Sequence, residues 1–122
     1  MTTVMLVDDS PTILMSMSAI LKKHGFTVAT ATDGQDALAK VVSVKPNLII
    51  SDLNMPRMDG MTFLKAVRKL AGQRFTPILI LTTESEQAKR QEAKSAGATG
   101  WLVKPVSPDD LLKVIRQVVP GA

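Results

Sequence analysis

Asp8, Asp9, Asp52, Thr82 and Lys104 fall at the ends of four separate apolar runs, and side chains of these types can handle concentrated charge. Val4-Met5-Leu6-Val7 runs into Asp8-Asp9, and Leu48-Ile49-Ile50 into Ser51-Asp52. Ile78-Leu79-Ile80-Leu81 ends in Thr82, and Leu102-Val103 in Lys104-Pro105. Carboxylates crowded together resist full ionisation, and a divalent cation relieves that repulsion. A carboxylate can also act as a nucleophile toward phosphorus, giving an acyl phosphate. These residues lie far apart in the chain, so the fold must assemble them.

Short apolar runs separated by helical patterns read as strands of a parallel sheet buried on both faces. In an open sheet of this kind, ligands bind in the crevice beyond the carboxyl ends of the strands. Ser10-Pro11 places an N-cap and a proline at a first helical position, and Gly25 closes that helix. Asp33-Gly34 opens a second helix, with Ala37, Leu38, Val41 and Val42 on its apolar face, ending before Lys45-Pro46. A third is expected from about Met61 to Ala71. A fourth follows Thr83-Glu84-Ser85-Glu86, which has capping-box form, and ends at Gly97. The last begins at Ser107-Pro108, with Asp109 and Asp110 serving its first turn. With a second strand near Phe26–Ala31, the chain reads β-α five times over, which is an α/β, doubly wound architecture.

The 122 residues make one expected domain, 1–122, with no output domain attached. The absence of cysteine excludes disulfides, thiolate zinc sites and iron–sulfur clusters. There is no signal peptide pattern and no apolar stretch of membrane-spanning length, so a cytoplasmic protein without a membrane partner is expected. The net charge is +4. Phe26, Phe63, Phe75 and Trp101 form no base-stacking platform, which argues against nucleic acid and for an acidic protein partner. His24, the lone histidine, suits the end of its helix and is assigned no function.

In spacing and context the whole chain resembles the receiver domain of bacterial response regulators, the CheY-like family. The resemblance rests on Asp8-Asp9, Asp52, Met55-Pro56 with Asp59-Gly60, Thr82 and Lys104-Pro105, in that order at strand ends. It implies a flavodoxin-like five-stranded sheet in the order 2-1-3-4-5 and phosphorylation of Asp52 with Mg²⁺. Asp9 and Asp52 would bind the metal directly, Asp8 largely through water, and Asn54 through its backbone carbonyl. Lys104 would balance phosphoryl charge, and Thr82 would donate its hydroxyl. A cis peptide before Pro105 is implied, a geometry that occurs almost only before proline. Met55-Pro56 would shape the loop beside Asp52, and Asp59-Gly60 reads as a turn. Asn54 and Glu84 match positions that influence hydrolysis of the acyl phosphate, with Glu84 helping to position water.

The resemblance also implies a switch. Thr82 moves toward the phosphoryl group, Trp101 rotates inward, and the face of the fourth helix, fifth strand and fifth helix changes its binding. Phosphate would arrive from a histidine kinase or its phosphotransfer domain and pass the signal to a downstream protein, in a chemotaxis-type pathway. A monomer is expected. The fourth helix is very polar, which fits an acidic target better than a flagellar-motor peptide. On the first helix, Ile13, Met17, Ile20 and Leu21 form a core stripe. Leu14 and Met15 then face the rim, as a docking patch for the phosphodonor. Competing readings are a phosphate sink and an aspartate-nucleophile phosphohydrolase, suggested by Asp52-Leu53-Asn54. A flavodoxin-like cofactor carrier is a further one, which would lack its glycine-rich phosphate loop.

Overall fold

A computed structural model describes residues 2–55, 57–83 and 87–119. Strands β1 (Thr3–Val7), β2 (Thr27–Ala31), β3 (Leu48–Asp52), β4 (Ile78–Thr82) and β5 (Gly100–Val103) alternate with five helices. These are α1 (Pro11–Lys23), α2 (Gly34–Val44), α3 (Gly60–Arg68), α4 (Gln87–Ser95) and α5 (Pro108–Val118). All strand pairs are parallel, in the order β2-β1-β3-β4-β5. The expected topology is the observed one. The central strands β3 and β4 are buried along their whole length, whereas the edge strands β2 and β5 are partly exposed. That contrast is why the central strands are continuous apolar runs.

The sheet separates two apolar layers. Leu14, Met17 and Leu21 of α1 and Leu111, Leu112 and Ile115 of α5 cover one side. Ala37 and Val41 of α2, Phe63, Leu64 and Val67 of α3, and Ala93 of α4 cover the other. Local chemistry sets the helix starts. The side chains of Ser10, Asp33, Asp59 and Ser107 accept hydrogen bonds from the backbone N–H groups of Ile13, Asp36, Thr62 and Asp110. Left-handed Lys45 closes α2, and Gly97, at φ 111°, follows α4.

Three expectations need correction. Leu14 belongs to the core, with 9% of its surface exposed, and cannot be part of a docking patch. The reason is helical geometry: seven residues fall about 20° short of two full turns, so Leu14 points almost the same way as Leu21. Ile13 and Ile20 flank the stripe, and Met15 alone faces outward, 73% exposed. Second, Asp59-Gly60 is more than a turn, because Asp59 caps α3 and Gly60 begins it. A Cβ on Gly60 would collide with the Asp52 carbonyl oxygen and come within 2.8 Å of the Leu53 Cα. Third, α3 ends at Arg68 instead of running to Ala71. There the backbone bonds tighten to Lys69 N–H on Ala66 O and Leu70 N–H on Val67 O. The capping-box residues Glu84, Ser85 and Glu86 lie outside the described residues, as does Pro56.

Replacing Leu14 by alanine is expected to cost about 2–4 kcal/mol, the range for a large-to-small change in a packed core. Met15→Ala should change stability by no more than about 0.5 kcal/mol. Urea denaturation of both variants checks the pair, and equal effects would contradict the observed orientation of α1.

Candidate phosphoryl-transfer site

The carboxyl ends of β1, β3, β4 and β5 bring the sequence-predicted residues together. The side-chain oxygens of Asp8, Asp9 and Asp52 include one from each residue that lie within 4.8 Å of one another. Asp8 is 2% exposed and Asp52 6%, while Asp9 opens to solvent. Asp52 Oδ1 accepts the Leu53 N–H at 2.8 Å, which turns its Oδ2 toward the Lys104 Nζ at 3.0 Å. Lys104 Nζ also stands 3.5 Å from Asp8 Oδ2. At that distance it supplies charge more than a hydrogen bond, and Asp8 Oδ2 has no hydrogen-bond partner among the described residues. Asp8 Oδ1 accepts the Ser10 N–H at 2.9 Å.

Lys104 is held by its backbone. Its N–H donates to the Thr82 carbonyl at 2.7 Å, and its peptide bond to Pro105 is cis. Thr82 is fully buried at the end of β4, and its hydroxyl has no hydrogen-bond partner among the described residues. An orphaned buried hydroxyl is uncommon and calls for an acceptor. Trp101 lies on the edge strand, 40% exposed, with the Arg90 guanidinium of α4 at 5.9 Å from its ring centroid. Asn54 is exposed, and its side-chain oxygen accepts from the Lys89 Nζ of α4 at 3.3 Å. Glu84 lies outside the described residues. Leu14, as noted, belongs to the core, and Met15 sits on the outer face of α1.

Two participants were not legible in the sequence. Arg57 and Met58 are fastened to the start of α2: Gly34 N–H donates to the Met58 carbonyl at 3.1 Å, and Arg57 pairs with buried Asp33 through Nε at 2.9 Å. Arg57 has φ 65°, in the left-handed region that non-glycine residues seldom enter. Asp33-Gly34 reads from sequence only as a helix start, and neither the pairing nor the backbone angle has a local signal.

The electrostatics follow from crowding. Burial pushes the Asp8 carboxyl above its ordinary value, the Ser10 N–H opposes this, and the Asp52 charge raises it further. Burial would lower the Lys104 ammonium, but the Asp52 hydrogen bond and charge, then Asp8, leave it raised. The ionised cluster is therefore short of positive charge, and its hard oxygen donors, open on the Asp9 side, fit a small divalent cation.

Because Asp8 binds its proton more tightly when folded, its ionisation costs stability at neutral pH, and this cost vanishes as pH falls through its raised pKa. Asp8→Asn should thus stabilise the cation-free protein by about 1 kcal/mol at neutral pH, with the gain shrinking on acidification. Denaturation at several pH values checks this, and a destabilised variant would contradict it. Lys104 has the opposite sign: its contribution is present at neutral pH and is lost only as pH rises through its raised pKa.

Comparison with known proteins agrees with this geometry. Residues 4–116 match the response regulator receiver domain. Protein PilG of Pseudomonas aeruginosa is 37% identical over 118 residues, spanning 97% of this chain and 87% of PilG. The structure of the chemotaxis protein CheY4 of Vibrio cholerae is similar at 51% identity and a TM-score of 0.92, covering 97% of this chain and 98% of CheY4. The receiver domain of the sensor histidine kinase PA1611 from Pseudomonas aeruginosa, solved with a magnesium ion in its active-site cleft, is similar at 25% identity and a TM-score of 0.89. That likeness covers 97% of each chain. The chain belongs to the response regulator receiver family of two-component signalling proteins.

Proposed function

We propose that this chain is a phosphoacceptor switch that takes a phosphoryl group from a histidine kinase, or its phosphotransfer domain, onto Asp52. The observation that carries the reading is the Lys104 ammonium 3.0 Å from Asp52 Oδ2, beside carboxylate oxygens of Asp8 and Asp9 clustered within 4.8 Å. In the transfer, an Asp52 carboxylate oxygen attacks phosphorus, the P–N bond of the phosphohistidine breaks, and the imidazole leaves with the bonding pair. Asp9 and Asp52 would hold Mg²⁺ directly, Asp8 largely through water, and Asn54 through its backbone carbonyl. The bound ion supplies charge neutralisation for the carboxylates and the phosphoryl oxygens. Lys104 exchanges part of its contact with Asp52 for a phosphoryl oxygen, and Thr82 gives its unpartnered hydroxyl to another.

The phosphoryl group adds close to two negative charges at neutral pH. Thr82, drawn toward it, vacates space beneath β5, and Trp101 turns inward from its half-exposed position. That motion separates Trp101 from Arg90 and alters the α4-β5-α5 face. The face is basic on α4, with Lys89, Arg90 and Lys94, and this supports an acidic downstream protein in a chemotaxis-type pathway. Met15 alone remains as the apolar contact that α1 offers a phosphodonor. The reading places the protein in the cytoplasm.

Incubation with acetyl phosphate and Mg²⁺ should add one phosphoryl group to the intact mass, and Asp52→Asn should abolish it. A folded wild-type protein that gains no Mg²⁺-dependent adduct would overturn the proposal. Glu84, by resemblance, positions the water that ends the signal. Glu84→Ala should lengthen the life of the phosphorylated form by about tenfold, less than the roughly 10²–10⁴-fold of full general acid–base catalysis, because this role orients the water without taking its proton. An unchanged decay, followed by loss of the adduct, would remove Glu84 from that role.

A further inference from the structure

The end of the molecule remote from Asp52 is charged in the opposite sense. Among the described residues, every carboxylate except Glu92 lies at a strand's carboxyl end, at a helix cap or in a first helical turn. The amino edge of the sheet, where all five helices end, instead gathers Lys23, Lys45, Lys69, Arg74 and Lys94. Basic residues in last helical turns suit the helix dipole, which accounts for Lys23 and Lys94. It does not account for Arg74, which stands in the loop between α3 and β4.

That loop is built firmly around an exposed aromatic ring. Arg68 donates to the carbonyls of Gln73 at 3.0 Å and Thr76 at 2.6 Å, and to Gly97 O from both Nε and Nη2. The Thr76 hydroxyl donates to the buried Gln73 side chain at 2.6 Å. With its neighbours held in this way, Phe75 is 90% exposed, the most exposed large apolar side chain of the described residues. The Arg74 guanidinium lies 5.8 Å from its ring centroid. Phe75, Arg74, Pro46, Asn47 and Pro77 line a groove of about 460 Å³. Lys45 borders it in sequence. Scattered single apolar side chains are ordinary on surfaces. A ring that a fixed loop holds out beside a guanidinium, over a shallow groove flanked by two prolines, is a preorganised contact.

We infer that this groove is a second docking surface, which binds an acidic protein segment carrying an apolar anchor side chain. The anchor packs on Phe75 between Pro46 and Pro77, and carboxylates on either side meet Arg74 and Lys45. A single exposed ring favours a peptide side chain over a bilayer, which would require a broader array of inserting residues. Because the groove lies at the edge of the sheet opposite Asp52, it engages its partner regardless of phosphorylation. It can therefore tether the switch while the α4-β5-α5 face responds.

The test is a titration of the full chain with the peptide Ac-EDELLFEEDE-NH2, followed in the amide NMR spectrum. Shifts should concentrate at Lys45, Asn47, Gly72, Phe75 and Thr76. Phe75→Ala and Arg74→Glu should each weaken binding by about tenfold, as for a central anchor residue. Both residues are surface-exposed, so the variants keep the fold. Asp52→Asn should bind like the wild type, which separates this proposal from the phosphoacceptor reading. Shifts confined to the α4-β5-α5 face, undiminished binding by either variant, or equal binding of a peptide with serine in place of its apolar residues would each overturn it. So would the absence of any shift, and Phe75-dependent sedimentation with phosphatidylglycerol vesicles in that case would assign the groove to a membrane.

Discussion

Crowding of carboxylates at one edge of a parallel sheet is the constraint on which the rest of this structure turns. Parallel strands all end at the same edge, so whatever follows β1 and β3 must share one crevice. Asp8 and Asp52 sit there almost without solvent, and a single ammonium stands against both. A cluster in this state is poised: any added cation or anion changes the balance of forces among its members. Stability and responsiveness are therefore set against each other in the same few side chains, as is usual where function concentrates charge.

Several devices keep the crevice in place. The Thr82 carbonyl fixes the Lys104 backbone, the Leu53 N–H orients the Asp52 carboxylate, and the Asp33–Arg57 pair fastens the loop beyond it. Gly60 permits the first turn of α3 to lie directly against the backbone of Asp52. Each is a backbone or loop contact supplied by a neighbouring element of the scaffold. Asp52 and Thr82 thus end the central strands β3 and β4, while Asp8, Asp9 and Lys104 stand just beyond β1 and β5.

Much of this was legible in the chain itself. The alternation of strands and helices and the five convergent residues follow from apolar runs that end in Asp, Thr or Lys, because burial on both faces leaves an unmistakable pattern, whereas the strand order is implied only by the family resemblance. What failed depended on direction. Leu14 was read as a rim residue because a stripe beginning at Ile13 was drawn too narrowly, although Leu21 already indicated the buried side. Asp59-Gly60 looked like a turn because a cap and a close backbone approach have the same short signature. Arg57 and Asp33 meet across 24 residues, a pairing that no local pattern announces. Phe75 appeared only as a spare aromatic, since its exposure is decided by Arg68 and a loop with no periodicity.

The reach of Arg68 from α3 to the Gly97 carbonyl has a mechanical meaning. It ties the carboxyl end of α4 to its neighbour, whereas toward the crevice the helix is held by long side chains such as exposed Lys89 and half-buried Arg90. The helix is thus tied to α3 at the end remote from Asp52, and the end beside the crevice has the looser attachment.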